Sequence, residues 1–214
     1  MPSKKAPASP RALHERAIDM TIILIERQQA CSLSLEDVAT ALDEPVENLT
    51  RLFSDKDALM AAVVEQALVI LIDTCTRVVV RADPNDPVDQ FCALGDAYLD
   101  WADTHQAQFR LISDHRMVGM LARSDLRRYV DSVTDLMARM LTRAQENGQL
   151  HPKEDIPLMV LSARSFAYGL ARMIVDGRMA EWVPDTPPLE TSKRLAHDFV
   201  LRMARSSQPN RAGA

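Results

Sequence analysis

Glycine is scarce in this chain, at 6 of 214 residues, and aromatic residues make up only 5%. Strands favour β-branched and aromatic side chains, and sheets need glycine-bearing turns, so both shortages count against a β fold. Alanine, leucine, methionine and arginine are plentiful instead, and these are good helix formers. The expected fold class is all-α. Cysteine is also rare: Cys31, Cys75 and Cys92 are far apart and form no CxxC pair. That excludes a disulfide framework or a zinc ribbon and fits small apolar residues in a reducing compartment.

Other absences narrow the function. No GxSxG, glycine-rich phosphate loop or HExxH occurs, so no enzyme is expected. The histidines at 14, 105, 115, 151 and 197 have no metal-ligand spacing, and neither a metal nor a cofactor is expected. No apolar run follows Lys4 and Lys5, so no signal peptide is expected. The longest apolar stretch, "LMVLSARSFAYGLARMIV", is interrupted by Arg164 and Arg172, and no membrane span is expected there. The expectation is a soluble cytoplasmic protein. Its net charge of −5 argues against a non-specific nucleic-acid coat. A DNA reader with a few well-placed cations stays open.

What is present is a run of helical patterns. Residues 1–9 read as an arm. A helix opens at Pro10, with Leu13, Ala17, Met20, Ile23 and Leu24 as its expected stripe. Ser34 is placed to cap "LEDVATAL", with Asp37 completing a capping box. "DEP" turns the chain at Asp43, a residue type that tolerates the left-handed conformation. "VENLTRLF" is a short helix with Val46, Leu49, Leu52 and Phe53 on one face, and "DKDALMAAVVEQALVILIDTCTRVVVRA" is a long one. Further helices are expected at 87–104, 106–114, 120–147, 154–177 and 187–205. The domains are drawn as the arm at 1–9, a helix–turn–helix module at 10–55, a larger helical domain at 56–205 and a disordered tail at 206–214.

Residues 34–59 pose a problem. Their rhythm is that of a helix offered to DNA, yet Glu36, Asp37, Asp43, Glu44, Glu47, Asp55 and Asp57 face only Arg51 and Lys56. "DVATALDEPVENLTRLFSDKDAL" resembles the reading head of the TetR family of bacterial transcriptional regulators. Val38 and Ala39 pack its first helix, Leu49 and Phe53 its second, and Lys56, Asp57 and Leu59 open the connecting helix. "GLARMIVDGR" (169–178) is similar to a stretch of the family's effector-binding domains.

The resemblance implies a homodimer that binds a palindromic double-stranded operator and is released by a small-molecule effector. DNA contacts are assigned to Lys4, Lys5, Arg11, Ser34, Asn48, Thr50, Arg51 and Lys56. For Arg51 two readings stand: a bidentate donor to a guanine edge, or a solvated partner of Glu47. The chain departs from the family pattern at Asp43 and Glu44, and at Thr50 and Leu52, where Tyr and His commonly touch the DNA backbone. A helical binding module with weak or lost DNA binding is the alternative.

An effector pocket is expected from Trp101, Phe109, Met117, Met120, Phe166, Tyr168 and Arg172, although aromatic and methionine stripes are more often plain core. A buried Arg164 or Arg172 needs an anion, either Asp100, Asp103 or an acidic effector, unless it snorkels to solvent. A dimer interface is expected on the last two long helices, from Leu158, Leu161, Phe166, Phe199 and Met203.

Overall fold

A computed structural model describes residues 10–28 and 33–206. It is 81% helical, and the described residues contain no strand. They divide into two compact units, one from residues up to 67 together with 107–123, the other from 68–106 and 124 onward. The first boundary falls inside the long helix α4 (Lys56–Arg81), beyond the 55/56 cut drawn from the sequence.

In the first unit, α1 (Pro10–Gln28) packs on α2 (Leu35–Leu42) and α3 (Val46–Thr50), and α2 packs on α3. The stripe of α1 is rotated from the expected one. Leu13, Ala17, Ile18, Thr21 and Ile25 are buried, while Ile23 is 37% exposed. Thr21 can sit in an apolar stripe because its hydroxyl donates to the Ala17 carbonyl at 2.7 Å. The unit also holds most of α6 (Gln106–Ile112), a 3-10 turn (His115–Met117) and α7 (Val118–Leu121).

In the second unit, α5 (Pro87–Thr104) is the central element and packs against α8 (Ser124–Glu146), α9 (Ile156–Val175) and α11 (Pro188–Ser206). It buries Phe91, Leu94, Ala97, Leu99, Trp101 and Ala102. Buried Gln90 on α5 donates to the Val79 carbonyl at 3.4 Å and accepts from Arg143 of α8 at 3.0 Å. Arg143 also donates to the Pro84 carbonyl, so one guanidinium ties the loop before α5 to two helices. The helix expected at 120–147 is broken, because α7 ends at Leu121 and α8 begins at Ser124. A short α10 (Arg178–Trp182) was not legible; it follows Gly177, whose φ of 74° is easy only for glycine.

Two helices, α4 and α9, are long and apolar enough to cross a membrane, with mean hydropathy 1.9 and 1.3. For α9 this corrects the expectation that Arg164 and Arg172 would disqualify it. Both also bury apolar side chains within the chain, Leu59, Val63, Val64 and Ala67 on α4 and Val160, Leu170, Ala171 and Ile174 on α9. Core helices of that kind meet the same criteria of length and composition.

Leu99 is fully buried on the most connected helix. Leu99→Ala should cost about 2–5 kcal/mol, read as a lower denaturation midpoint by circular dichroism. A second prediction concerns acid. Asp37, Asp55 and Asp86 are held below the usual carboxylate range, first by the backbone N–H groups of Ser34, Ala58 and Asp89 respectively. A carboxyl lowered in the folded state stabilises above its unfolded pKa, and that contribution is lost as pH falls through the folded value. Melting should therefore be insensitive to these groups from pH 7 to 5 and fall below about pH 4.

Candidate nucleic-acid interface

The turn between α2 and α3 is built from its caps. Ser34 accepts from the Asp37 N–H at 3.1 Å, while the Asp37 carboxylate accepts the Ser34 N–H at 2.9 Å and its hydroxyl at 2.8 Å. At the other end Asp43 adopts the left-handed conformation with φ 55°, and its N–H closes onto the Ala39 and Thr40 carbonyls. Pro45 then precedes α3, which has only five residues. Leu49 is fully buried, Phe53 nearly so, and the His14 ring of α1 stacks on Phe53 at 4.8 Å.

This geometry explains three of the seven carboxylates. Asp37 caps α2. Asp55 accepts from the Ala58 N–H at 2.8 Å at the start of α4. Glu44 pairs with Arg16 of α1 at 3.1 Å and accepts from the Asn48 amide at 3.3 Å. Glu36, Asp43, Glu47 and Asp57 remain exposed acids without an ion pair among the described residues. The link through Arg16 was not read from the sequence, because residues 16 and 44 are 28 apart and only the packing of α1 on the turn joins them.

The candidate DNA contacts are placed as follows. Lys4 and Lys5 lie outside the described residues. Arg11 is exposed and pairs with Glu15 at 3.2 Å. The Ser34 hydroxyl is engaged with Asp37. Asn48 is half-buried, and Thr50 is exposed with its hydroxyl donating to the Glu47 carbonyl at 3.1 Å. Arg51 is the C-cap of α3 rather than part of its body, and it is exposed. No Arg51–Glu47 pair forms among the described residues, so the solvated-partner reading loses its partner. Lys56 opens α4, exposed and without an ion pair among the described residues.

The seven pocket candidates are divided between the two units. Phe109 and Met117 are buried and Met120 half-buried in the first unit, whereas Trp101, Phe166, Tyr168 and Arg172 belong to the second. Arg172 pairs with Asp176 of its own helix at 2.9 Å, and Asp100 takes Lys193 of α11. This i,i+4 partner is absent from the set expected for Arg172, which was Asp100, Asp103 or an acidic effector. Arg164 is exposed and donates to Thr134 of α8 at 2.6 Å. Sequence reasoning missed Tyr98. Burial pushes its phenol well above the ordinary range, Tyr168 adds to that, and the Arg164 charge opposes it. Its ring stacks with Trp101 one turn on, at 6.3 Å, while Tyr168 and Arg164 come from more than sixty positions away.

Cys75 and Cys92 are free and buried, and burial pushes both thiols up to about 12, which makes them poor nucleophiles. Cys31 lies outside the described residues.

On α9, Leu158 and Leu161 are 58% and 62% exposed, and Tyr168 continues the same helical face at 43%. Leu195 and Leu201 of α11 are similarly bare, and neither was singled out from the sequence. Phe199 is different: it stacks on Phe166 with centroids 4.5 Å apart, inside the unit. Met203 is half-buried.

Residues 91–199 match the family profile described as a tetracyclin repressor-like C-terminal domain. No curated protein matches the chain. Among solved structures, a protein of unknown function from Rhodococcus sp. RHA1 is 22% identical over 94% of this chain and 97% of its own, with TM-score 0.72. A bacterial regulatory protein in the tetR family from Rhodococcus RHA1 is 17% identical, covering 92% and 98%, with TM-score 0.67. The fatty acid degradation regulator FadR from Bacillus halodurans is 12% identical, covering 93% and 97%, with TM-score 0.71. At these identities the likeness is one of fold.

Proposed function

The chain belongs to the TetR family of transcriptional regulators, and from that premise we propose a ligand-released repressor that binds a palindromic operator as a homodimer. The observation that carries the reading is the capped α2–turn–α3 unit, which leaves Arg51 at its end and Lys56 five residues on exposed and without ion pairs among the described residues. Arg51 is assigned to a base edge, since a guanidinium matches the two acceptors of guanine. Lys56 is assigned to phosphate. Two-fold symmetry sets the reading heads about 34–36 Å apart, one turn of DNA.

The effector is a small molecule taken by the second unit, with Trp101, Phe166 and Tyr168 supplying apolar surface and Tyr98 and Arg164 supplying polarity. It acts by binding one spacing of the heads better than the other, for no ligand shifts an equilibrium without differential affinity. The alternative is a helical interaction module without operator binding, favoured by the four exposed acids of the head and by Thr50 where the family usually carries Tyr.

Enrichment of genomic fragments at low salt separates the two. Selected fragments sharing a near-palindrome support the repressor, and a folded protein that enriches nothing supports the module. On a selected site, Arg51→Ala should cost roughly 1–3 kcal/mol and relax preference at one position per half-site. Lys56→Ala should weaken all sequences alike and lower the salt slope by about one unit. Equal selectivity of Arg51→Ala and the parent would remove Arg51 as the reader.

For the dimer, the bare face of α9 and α11 is offered as half of a four-helix bundle. Leu161 is the position to charge, because Phe199 supports its own unit. Leu161→Glu should give a monomer by light scattering with helicity retained, and an unchanged dimer would place the interface elsewhere.

A further inference from the structure

Asn48 is one of the candidate DNA contacts on α3, and its surroundings restrict which way its amide can point. The Glu44 carboxylate accepts from the Asn48 Nδ2 at 3.3 Å, and its other oxygen is held by Arg16 Nη1 at 3.1 Å. Arg16 also reaches the Leu42 carbonyl at 3.5 Å, which ties the guanidinium to the end of α2. All four residues are in one compact unit, and both side-chain bonds are partly shielded from water.

A carboxylate only accepts, so it takes the NH2 side of the amide and rejects the carbonyl side. One N–H and the whole carbonyl oxygen of Asn48 are left over. A donor and an acceptor on one planar group match the N7 and N6 edge of adenine, and they do not match guanine, which offers two acceptors there. Arg16 has a second effect, since it neutralises the acid that performs the locking and so keeps Glu44 from repelling phosphate.

We propose that Arg16 and Glu44 form a positioning relay that locks the Asn48 amide to read adenine in each half-site. The inference rests on the DNA-binding reading above and deepens it by naming a second base and the residues that fix its reader. Glu44 is a positioning residue, acting only through Asn48.

The decisive variant is Glu44→Gln. It keeps the size of the side chain but can both donate and accept, so either orientation of Asn48 is satisfied and the lock is lost. Binding of the full-length protein to a library randomised at every operator position gives the readout. The expected result is that Glu44→Gln reduces adenine preference at one position per half-site by at least about fivefold. All other positions and the salt slope should be unchanged. Asn48→Ala should affect the same position, and adding Glu44→Gln to it should do nothing more. If Glu44→Gln melts early, Glu44→Asp at the same readout replaces it, since the shorter carboxylate falls out of reach of the Asn48 amide and should lose the same adenine preference. A parent that selects no sequence removes the DNA reading itself. A parent that selects sites, with base preferences untouched in Glu44→Gln, overturns the relay alone, as does a uniform loss at every position.

Discussion

A five-residue helix cannot hold itself together. Forming the first turn fixes several residues for one hydrogen bond, and α3 ends before propagation offsets that cost. The reading head therefore depends on what grips α3 from outside. Leu49 and Phe53 bury its inner side, His14 stacks on Phe53, and the capping box and the left-handed Asp43 set where it begins. The Arg16–Glu44–Asn48 chain adds a polar grip on the other side. Remove the packing of α1 and neither set of contacts survives, so the outer face of α3 is a product of α1 as much as of its own residues.

The same dependence recasts the acidity of the head. Carboxylates near a helix start have work to do on backbone N–H groups, and Asp37 and Asp55 do it. Glu44 is neutralised by a residue from another helix. Charge counted along the sequence therefore overstates the repulsion a phosphate would meet. The acids that remain uncommitted are a real burden, and they bear on affinity rather than on the fold.

Local signals were legible in the sequence and distant ones were not. The capping box at Ser34, the left-handed turn at Asp43 and the order of the helices follow from residue type and spacing alone. The stripe of α1 was misjudged because Thr21 hides its hydroxyl against its own helix, which hydropathy does not register. Arg172 pairs with Asp176 one turn away on its own helix, a residue outside the set weighed for it. Phe199 stacks on Phe166, a particular neighbour that helical spacing does not name. Each of these misses turns on which of several neighbours a side chain meets, and periodicity leaves that choice open.

Asp43 carries a last implication, for how freely this protein can drift. A side chain with a Cβ is strained in the left-handed region, and only short polar residues that bond locally sit there at modest cost. Position 43 is thus open to Asp, Asn and Gly and closed to branched or bulky replacements. Mutational tolerance at this one turn is set by the backbone, whatever the operator becomes. The exposed positions of α3 can change freely, while the corner between α2 and α3 stays restricted to residues that tolerate the left-handed conformation.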